Sequence, residues 1–236
     1  MLRVPVELPP GATELELPAE SARYVARVHR LDVGGAFVAF DPDARTEADA
    51  TITSIARDGV RVALGPTRAS TRLPRRRVTL LQGIAKSEKM DAIVRDATEL
   101  GATSIVPVRL ARSIPTSKSD AALTRWRRIA VEAARQCGRG DVPDISSPVD
   151  LARALDGQEG VRCALAPGGE RSLGETVRSA EAGASIALLV GPEGGLDAAE
   201  TALAGERGFA LVRLGAFVLR TETAATAALA VVADAT

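Results

Sequence analysis

The sequence predicts an α/β protein with a small β-rich segment in front of the α/β part, on three observations. In the first 65 residues, short strand-like runs alternate with turn signals, which is typical of a small β-barrel. From residue 78 onward, strand-like and helix-like segments alternate, which is typical of βαβ units in a mostly parallel sheet. Residues 67–77 are basic, contain a proline and lack apolar periodicity, which indicates a linker. We therefore expect two domains, 1–70 and 71–236.

Three strands are predicted in the first domain and five in the second. The first three cover residues 36–40, 50–55 and 59–64, with turns at residues 41–43 and 57–59. The later strands cover residues 78–84, 103–108, 161–165, 186–190 and 209–214. The second domain is therefore expected to hold a mostly parallel sheet of βαβ units, and no internal repeat is present.

Helices are predicted between these later strands. Ser87 is the expected N-cap of the first helix, in which apolar residues recur at helical spacing: Met90, Ile93, Val94, Ala97 and Leu100. A long helix covers residues 120–137 and is closed by Gly138. The last helix, residues 224–232, is rich in alanine and carries no charge. We therefore expect it to be buried on all sides, in part by a partner subunit.

Two loops of unusual composition follow strands of the second domain. The strand 186–190 is followed by Gly191-Pro192-Glu193-Gly194-Gly195, after which Asp197 and Glu200 have the spacing of a capping box. The next strand is followed by the loop 214–223. Glycine lets a backbone approach a ligand closely, and ligands of open α/β sheets lie beyond the carboxyl ends of strands. One ligand site is therefore predicted at these loops, although a glycine-rich loop can also be a simple tight turn.

Composition excludes several classes of function. Lysine plus arginine and aspartate plus glutamate both number 30, so RNA binding would require local basic patches. No dinucleotide-binding or P-loop glycine motif and no nucleophile elbow is present. His29 is the single histidine, and Cys137 and Cys163 are far apart without a metal-binding motif. We therefore expect neither a metal site nor histidine-based nucleophilic catalysis.

No segment of the sequence predicts contact with a membrane. Residues 1–10 contain charges and prolines without the apolar segment of a signal peptide. The longest apolar run, residues 224–233, is too short to span a bilayer. A soluble cytoplasmic protein is the expectation.

Five motifs resemble one known family in their order along nearly the whole chain. They are Gln82-Gly83 with Lys86, Lys89 and Met90; residues 97–101; residues 136–139 (Gln-Cys-Gly-Arg); residues 191–195; and Leu214-Gly215 running into residues 219–224. These motifs resemble those of the small-subunit ribosomal RNA uridine N3-methyltransferases of the RsmE type, in the SPOUT class. Ala216 and Phe217 depart from the family, whose members usually carry a proline or a basic pair there.

The resemblance implies a fold, a reaction and partners. It implies a C-terminal domain with a deep trefoil knot, an N-terminal PUA-like barrel that binds RNA, and a homodimer. The implied reaction is methylation of N3 of a uridine in 16S rRNA of the small ribosomal subunit, with S-adenosylmethionine as cofactor. This chemistry agrees with the residues, because the sulfonium supplies the electrophile and no protein nucleophile is needed.

The resemblance places the cofactor at three loops. The expected cofactor-binding residues are Leu165, Ala166, Pro167, Gly191, Pro192, Glu193, Gly194, Gly195, Leu214, Gly215, Leu219 and Arg220. Glycine backbones there can approach the adenine and the ribose without a side chain in between. For Glu193 the sequence leaves a second role open, stabilisation of the following helix through its N-terminal dipole.

Arg220 and Glu222 are the expected catalytic residues. A guanidinium can stabilise the negative charge that develops on the carbonyl oxygens of a uracil as its N3 proton leaves, and Glu222 can accept or orient that proton. The alternative is ordinary capping of the last helix by Thr221 or Thr223 beside a solvated ion pair.

Four basic residues are expected to contact RNA phosphates: Lys86, Lys89, Arg112 and Arg139. For Arg139 a dimer contact is the other interpretation, and the remaining three can equally be solvated surface residues.

Two other functions remain open from the sequence. One is a non-catalytic RNA-binding factor of ribosome assembly that keeps the scaffold, which the departure at Ala216 and Phe217 would allow. The other is a methyltransferase acting on a transfer RNA ribose, against which the order of domains and the motif at residues 136–139 argue.

Overall fold

The computed structural model describes residues 1–57, 59–114 and 120–235 and divides the chain into two compact units. The first unit comprises Met1–Leu73 and Val131–Val142, and the second comprises Pro74–Ala130 and the residues from Pro143 onward. Asp58, part of the predicted turn 57–59, lies outside the described residues.

The first unit is built on a mixed six-stranded sheet. Its elements are β1 (Arg3–Pro5), β2 (Glu14–Glu16), α1 (Ala19–Arg23) continuing into a π-helical turn (Tyr24–Val28), β3 (Ala36–Asp41), β4 (Thr46–Ile55), β5 (Val60–Leu64) and β6 (Arg68–Ala69). The strand order is β1-β3-β4-β5-β2, with β6 paired to β4, and only β1 and β3 pair in parallel. Apolar residues such as Val4, Phe37, Ile52 and Val62 form its core. The three strands predicted here are confirmed within a few residues.

The second unit is built on an eight-stranded sheet whose pairs are all parallel. Its strands are β7 (Val78–Gly83), β8 (Ser104–Arg109), β9 (Asp144–Ile145), β10 (Val149–Asp150), β11 (Val161–Leu165), β12 (Arg171–Ser172), β13 (Ile186–Val190) and β14 (Ala210–Arg213). The order is β10-β8-β7-β13-β11-β14-β12, with β9 paired to β8. Strand β13 is buried along its whole length, as its unbroken apolar sequence requires in a parallel sheet.

Among the described residues, six helices accompany this sheet. They are α2 (Ser87–Glu99), α3 (Asp120–Cys137), α4 (Leu151–Leu155), α5 (Leu173–Arg178), α6 (Ala198–Glu206) and α7 (Thr221–Asp234). The predicted end of α3 is confirmed, because Gly138 has a φ of +82° and its N–H donates to the Ala134 carbonyl. The capping box of α6 is also confirmed: Asp197 accepts from the Glu200 N–H at 2.8 Å and Glu200 accepts from the Asp197 N–H at 2.9 Å.

One prediction about helices is wrong. Lys86, and not Ser87, is the N-cap of α2, because the Ser87 hydroxyl instead accepts from the Arg125 guanidinium at 2.6 Å. Helix α7 is buried on part of its surface within the chain, and burial of the rest by a partner subunit stays a prediction. It packs on α2, α5 and β13, but Thr223 and Ala230 on its other side are exposed. None of the helices in the described parts of the chain combines the length and the apolarity that a bilayer span requires.

Candidate functional site

A cavity of about 420 Å³ lies at the carboxyl edge of the parallel sheet, among the loops that follow β11, β13 and β14. Residues of all three loops line it, together with the start of α7: Leu165, Ala166, Pro167, Val190, Gly191, Pro192, Glu193, Gly194, Gly195, Leu196, Thr201, Val212, Leu214, Gly215, Ala216, Phe217, Val218, Leu219, Thr221 and Ala224. The structure thus brings together all the residues expected to hold a cofactor except Arg220, which lies between two of the lining residues.

The loop after β13, residues 191–195, closes on itself. The Gly195 N–H donates to the Pro192 carbonyl at 2.9 Å, and Gly195 has a φ of +69°, which favours glycine. A Cβ on Gly191 would stand 2.8 Å from the Gly195 carbonyl carbon and 2.9 Å from the Leu196 nitrogen. Because those neighbours are backbone atoms that cannot turn aside, the loop requires glycine at position 191.

Gly83, the last residue of β7, makes room for this loop. A Cβ on Gly83 would stand 2.6 Å from the Pro192 Cδ and 2.7 Å from a Leu110 methyl. The glycine of the Gln82-Gly83 motif therefore allows Pro192 to pack against the end of the neighbouring strand.

A buried hydrogen-bond chain joins the loop to β7 and α7. Gln82 is fully buried, and its Nε2 donates to the Thr221 hydroxyl at 3.0 Å and to the Gly83 carbonyl at 2.9 Å. The Thr221 hydroxyl in turn donates to the Gly191 carbonyl at 2.6 Å. The Thr221 hydroxyl therefore does not cap α7. The sequence motifs contained Gln82 and Thr221, but neither was predicted as a site residue.

The Glu193 carboxylate faces the amino end of α2. Its Oε1 accepts from the Lys86 N–H at 3.2 Å and lies 3.3 Å from the Lys89 ammonium. Burial alone would raise the pKa of Glu193, but hydrogen bonds from its own and the Lys86 backbone, together with Lys89, outweigh burial and lower the pKa. Glu193 thus contacts the amino end of α2. The alternative from the sequence was contact with the helix that follows Glu193 in the chain, which is α6. Glu193 remains ionised at neutral pH at the wall of the cavity.

Lys89 bridges two carboxylates. Its ammonium lies 3.3 Å from Glu193 Oε1 and 3.4 Å from Glu222 Oε2, in the first turn of α7. A second link between the same helices is the bond from the Thr226 hydroxyl to the Asp96 carboxylate at 2.9 Å. Because Lys89 is paired on both sides, its geometry favours holding Glu222 beside the loop over contacting an RNA phosphate.

Arg220 is the N-cap residue of α7 and is exposed. Its carbonyl accepts the Ala224 N–H at 2.8 Å, and its side chain makes no capping hydrogen bond. Leu219 and Thr221 on either side line the cavity. The backbone therefore holds Arg220 at the mouth of the cavity, where its guanidinium is accessible to a second ligand.

The loop after β14 differs from the first in its exposure. Gly215 has a φ of +113°, and Phe217 and Val218 are 86% and 79% exposed although both are apolar. These side chains form an apolar rim at the mouth of the cavity, and Phe217 is one of the two positions at which the sequence departs from the family that it resembles.

The basic residues expected to contact RNA separate into two groups. Lys86 and Arg112 are exposed beside the loop 191–195, where the Arg112 guanidinium donates to the Gly194 carbonyl at 2.6 Å. Arg139 belongs to the other unit, where it is buried and its Nε donates to the Asp141 carboxylate at 2.8 Å. This pairing gives Arg139 a structural role within its own unit.

Neither cysteine nor metal chemistry is indicated at this site. Burial raises the pKa of the Cys163 thiol in β11 to about 11, so it stays protonated and unreactive at neutral pH. Within the described part of the chain, no group of histidine, cysteine, aspartate and glutamate side chains is arranged to hold a metal ion.

Comparisons with known proteins agree with this geometry. The family model described as RNA methyltransferase domain matches residues 71–233. A ribosomal RNA small subunit methyltransferase E from Bacillus subtilis is 30% identical over 94% of this chain and 90% of its own length. The chain belongs to that family. A second member, from Mycobacterium bovis, is 32% identical over 95% of the chain and 88% of its own length.

A solved structure of the family extends the agreement to the fold. The ribosomal RNA small subunit methyltransferase E from Neisseria gonorrhoeae, bound to S-adenosyl methionine, superposes with a TM-score of 0.89. It is 29% identical and covers 98% of this chain and 95% of its own. The resemblance drawn from the sequence motifs is therefore confirmed, and so is the α/β methyltransferase fold.

Proposed function

We propose that the protein methylates N3 of a uridine in 16S ribosomal RNA, with S-adenosylmethionine as the methyl donor. The observation that carries this proposal is the cavity at the carboxyl edge of the sheet, enclosed by glycine-bearing loops in a chain of the methyltransferase E family. The family member from Neisseria gonorrhoeae was solved with S-adenosyl methionine bound, which supports the choice of cofactor.

The cavity suits this cofactor in size and charge. Its volume of about 420 Å³ lies within the range of small-ligand sites, about 300–1,000 Å³. Glu193 is the single ionisable side chain among the described residues that line it, and its lowered pKa keeps it negative. A wall with one carboxylate and no basic group favours a ligand with positive charge over a phosphorylated nucleotide. When bound, S-adenosylmethionine supplies an electrophilic methyl group.

The backbone of the loops is proposed to hold the cofactor. Gly191, Gly194 and Gly195 offer backbone groups without a side chain in front of them, and Leu165, Leu196 and Leu219 offer apolar contact. The chain from Gln82 through Thr221 to the Gly191 carbonyl fixes the loop in advance, which reduces the entropy lost on binding.

Arg220 and Glu222 are proposed to act on the uridine. The Arg220 guanidinium would stabilise the charge that develops on the uracil carbonyl oxygens as N3 loses its proton. Glu222 would accept or orient that proton. Lys89, placed between Glu222 and Glu193, is a positioning residue that holds the Glu222 carboxylate next to the cofactor loop.

The finer architecture implied by the family is part of the proposal. We propose that the loops of the second unit form a trefoil knot and that residues 1–70 form a PUA-like barrel that binds RNA. Lys86 and Arg112, exposed at the rim of the cavity, would contact RNA phosphates as well. Arg139 stays a weaker candidate because it is buried and paired. Action on ribosomal RNA also implies a cytoplasmic protein.

A homodimer is proposed from the surface beside the cavity. Phe217 and Val218 are largely exposed apolar residues, and Ala230 is exposed on α7. Surfaces of this kind on a soluble protein are commonly covered by a partner. A second subunit seated there would complete the mouth of the cavity.

The proposed reaction is tested by calorimetry followed by nucleoside analysis. The folded protein is titrated with S-adenosylmethionine, and then incubated with it and with small ribosomal subunits. Digestion of the rRNA and mass spectrometry should detect new 3-methyluridine. Cofactor binding without any methylated nucleoside would support a ribosome-assembly factor, whereas a 2′-O-methylated product would support a ribose methyltransferase. The names of the relatives favour neither alternative.

A further inference from the structure

A second cleft, of about 340 Å³, lies in the same unit as the cofactor cavity. It is lined by three arginines and several small residues: Arg75, Arg76, Val177, Arg178, Ala180, Ala182, Gly183 and Ala235. Arg75 and Arg76 lie three and two residues before β7 and belong to the basic segment 67–77 that the sequence indicated as a linker. Two arginines of that segment therefore have a defined place on the second unit.

The cleft lies at the opposite edge of the sheet from the cofactor cavity. Its residues come from just before β7 and β13, which pair in parallel, whereas the cavity is formed after the carboxyl ends of the strands. Helix α7 begins at the cavity with Thr221 and ends at the cleft, and its 14 residues span about 21 Å. The cleft is therefore a separate site.

Arg76 has hydrogen-bonding capacity that the described residues do not use. Its Nη2 donates to the Ala235 carbonyl at the end of α7 at 3.3 Å. Its Nε and Nη1 are buried, and neither has a hydrogen-bond partner among the residues that the structure describes. A buried N–H of a charged group without an acceptor is costly. The Nε–H and Nη1–H groups lie on different edges of the guanidinium, so one phosphate oxygen would satisfy one of them, through the charge-assisted hydrogen bond by which guanidinium groups bind phosphate and carboxylate.

The charge of the cleft points to the same kind of ligand. Three guanidinium groups contribute to its lining, and none of the described lining residues is an aspartate or a glutamate. Ala180, Ala182 and Gly183 add only small, uncharged groups to the lining.

We propose that this cleft binds a phosphate group of the RNA backbone. The choice of RNA as the source of the phosphate rests on the proposed function. Contact at this edge of the sheet would hold the RNA by a second point about 20 Å from the reacting uridine, the length of α7. The cleft would contribute affinity and orientation, and no base recognition.

The test compares three variants that each remove one positive charge. Arg178→Gln and Arg76→Gln alter the cleft, and Arg153→Gln, at an exposed position on α4, is the matched control. Binding of in vitro transcribed 16S rRNA is measured by filter binding between 50 and 300 mM salt (roughly the range over which phosphate contacts are resolved). We expect each cleft variant to raise Kd about 3- to 10-fold and to reduce the slope of log K against log salt by about 1. The control should match the wild type.

Several measurements distinguish this proposal from misfolding of a variant, from failure of the proposed reaction and from binding of free phosphate. If Arg76→Gln fails to fold because it loses the Ala235 contact, Arg178→Gln still decides the result. The cleft variants should bind S-adenosylmethionine as tightly as the wild type does. If the wild type showed no methyl transfer, the proposed reaction would be wrong, but the RNA affinities of the variants could still be compared. If both cleft variants show the same slope of log K against log salt as Arg153→Gln, the cleft proposal is overturned. If inorganic phosphate stabilises the wild type and not Arg178→Gln, while both bind RNA equally well, the cleft binds free phosphate and the RNA assignment is overturned.

Discussion

Two of the loops that line the proposed cofactor cavity are held in different ways. In the loop 191–195, the Gly191 carbonyl, the Glu193 carboxylate and the Gly194 carbonyl each receive a hydrogen bond from another element. In the loop after β14, Phe217 and Val218 are 86% and 79% exposed. The first loop is a preformed wall, and the second is an accessible rim that ends in Arg220. Cofactor affinity should therefore depend on the first loop, and turnover on the end of the second.

The largest expected effect tests Arg220, at the end of the accessible loop. Arg220→Ala should slow methyl transfer about 100- to 1,000-fold, the usual scale for loss of a donor to a developing oxyanion. Arg220→Lys should recover only part of the rate because lysine lacks the planar fork of arginine. Single-turnover rates and calorimetry with S-adenosylmethionine measure the two quantities separately. Loss of cofactor binding in Arg220→Ala would make this residue a structural part of the wall and remove the contrast between the loops.

The next effect tests the preformed wall. Gly191→Ala places a Cβ 2.8 Å from the backbone of Gly195, so we expect cofactor affinity to fall by up to about 100-fold. The matched control is Gly205→Ala in α6, where a Cβ meets nothing within 4 Å. Gly194→Ala should lie between them, because the atoms nearest to its Cβ belong to the Arg112 side chain, which can move further than backbone can. Equal affinities for all three variants would show that the loop is not fixed.

A smaller effect is expected from the hydrogen bond that joins the wall to α7. Thr221→Val keeps the shape of the side chain but leaves the Gly191 carbonyl without its donor and removes the acceptor of the Gln82 amide. Cofactor affinity should fall about 10-fold, for a cost of about 1–3 kcal/mol. Thr223→Val, at an exposed position of the same turn, is the control. A melting temperature that falls while affinity is retained would assign the bond to folding alone.

The smallest effect concerns Lys89 and has a pH dependence. The pKa of Glu193 is lowered in the folded protein, so its pairing stabilises the fold above the ordinary carboxyl pKa, and this stabilisation is lost as pH falls through the lowered value. Lys89→Met should therefore destabilise the protein at pH 7, by no more than about 1 kcal/mol, and less at pH 4. Thermal melts at both pH values measure this difference. In a Glu193→Gln background, the destabilisation by Lys89→Met should depend less on pH. An unchanged pH dependence would show that another group causes it.

The sequence predicted the parts of this molecule that have a local signal. Strands 161–165 and 186–190 and the helix 120–137 have the predicted bounds because apolar runs and a helix-ending glycine mark them. The two-residue strands β9, β10 and β12 exist only through pairing with distant strands, and nothing in their own residues marks them.

The residues that line the cavity could also be predicted from local sequence signals. The hydrogen bonds and ion pairs that hold its loops could not. Loops that follow successive strands meet at one edge of a parallel sheet, so their residues could be grouped from the sequence. The bond between Gln82 and Thr221 joins residues 139 positions apart. A single buried amide leaves no periodic pattern, and the pairing of Lys89 with two carboxylates depends on where α2 and α7 pack. Residues 131–142 join the first unit although α3 continues through that boundary without a break in its sequence pattern.

The central place of β13 has a consequence for hydrogen exchange. Its five residues are buried, and it pairs with β7 on one side and β11 on the other, so each of its amides can exchange only when one of these central pairings opens. Gly191 follows this strand directly. The anchor of the loop 191–195 should therefore belong to the slowest-exchanging part of its unit, and fraying of the peripheral strands β10 and β12 would leave it in place. A site attached in this way persists up to the temperature at which the whole unit melts.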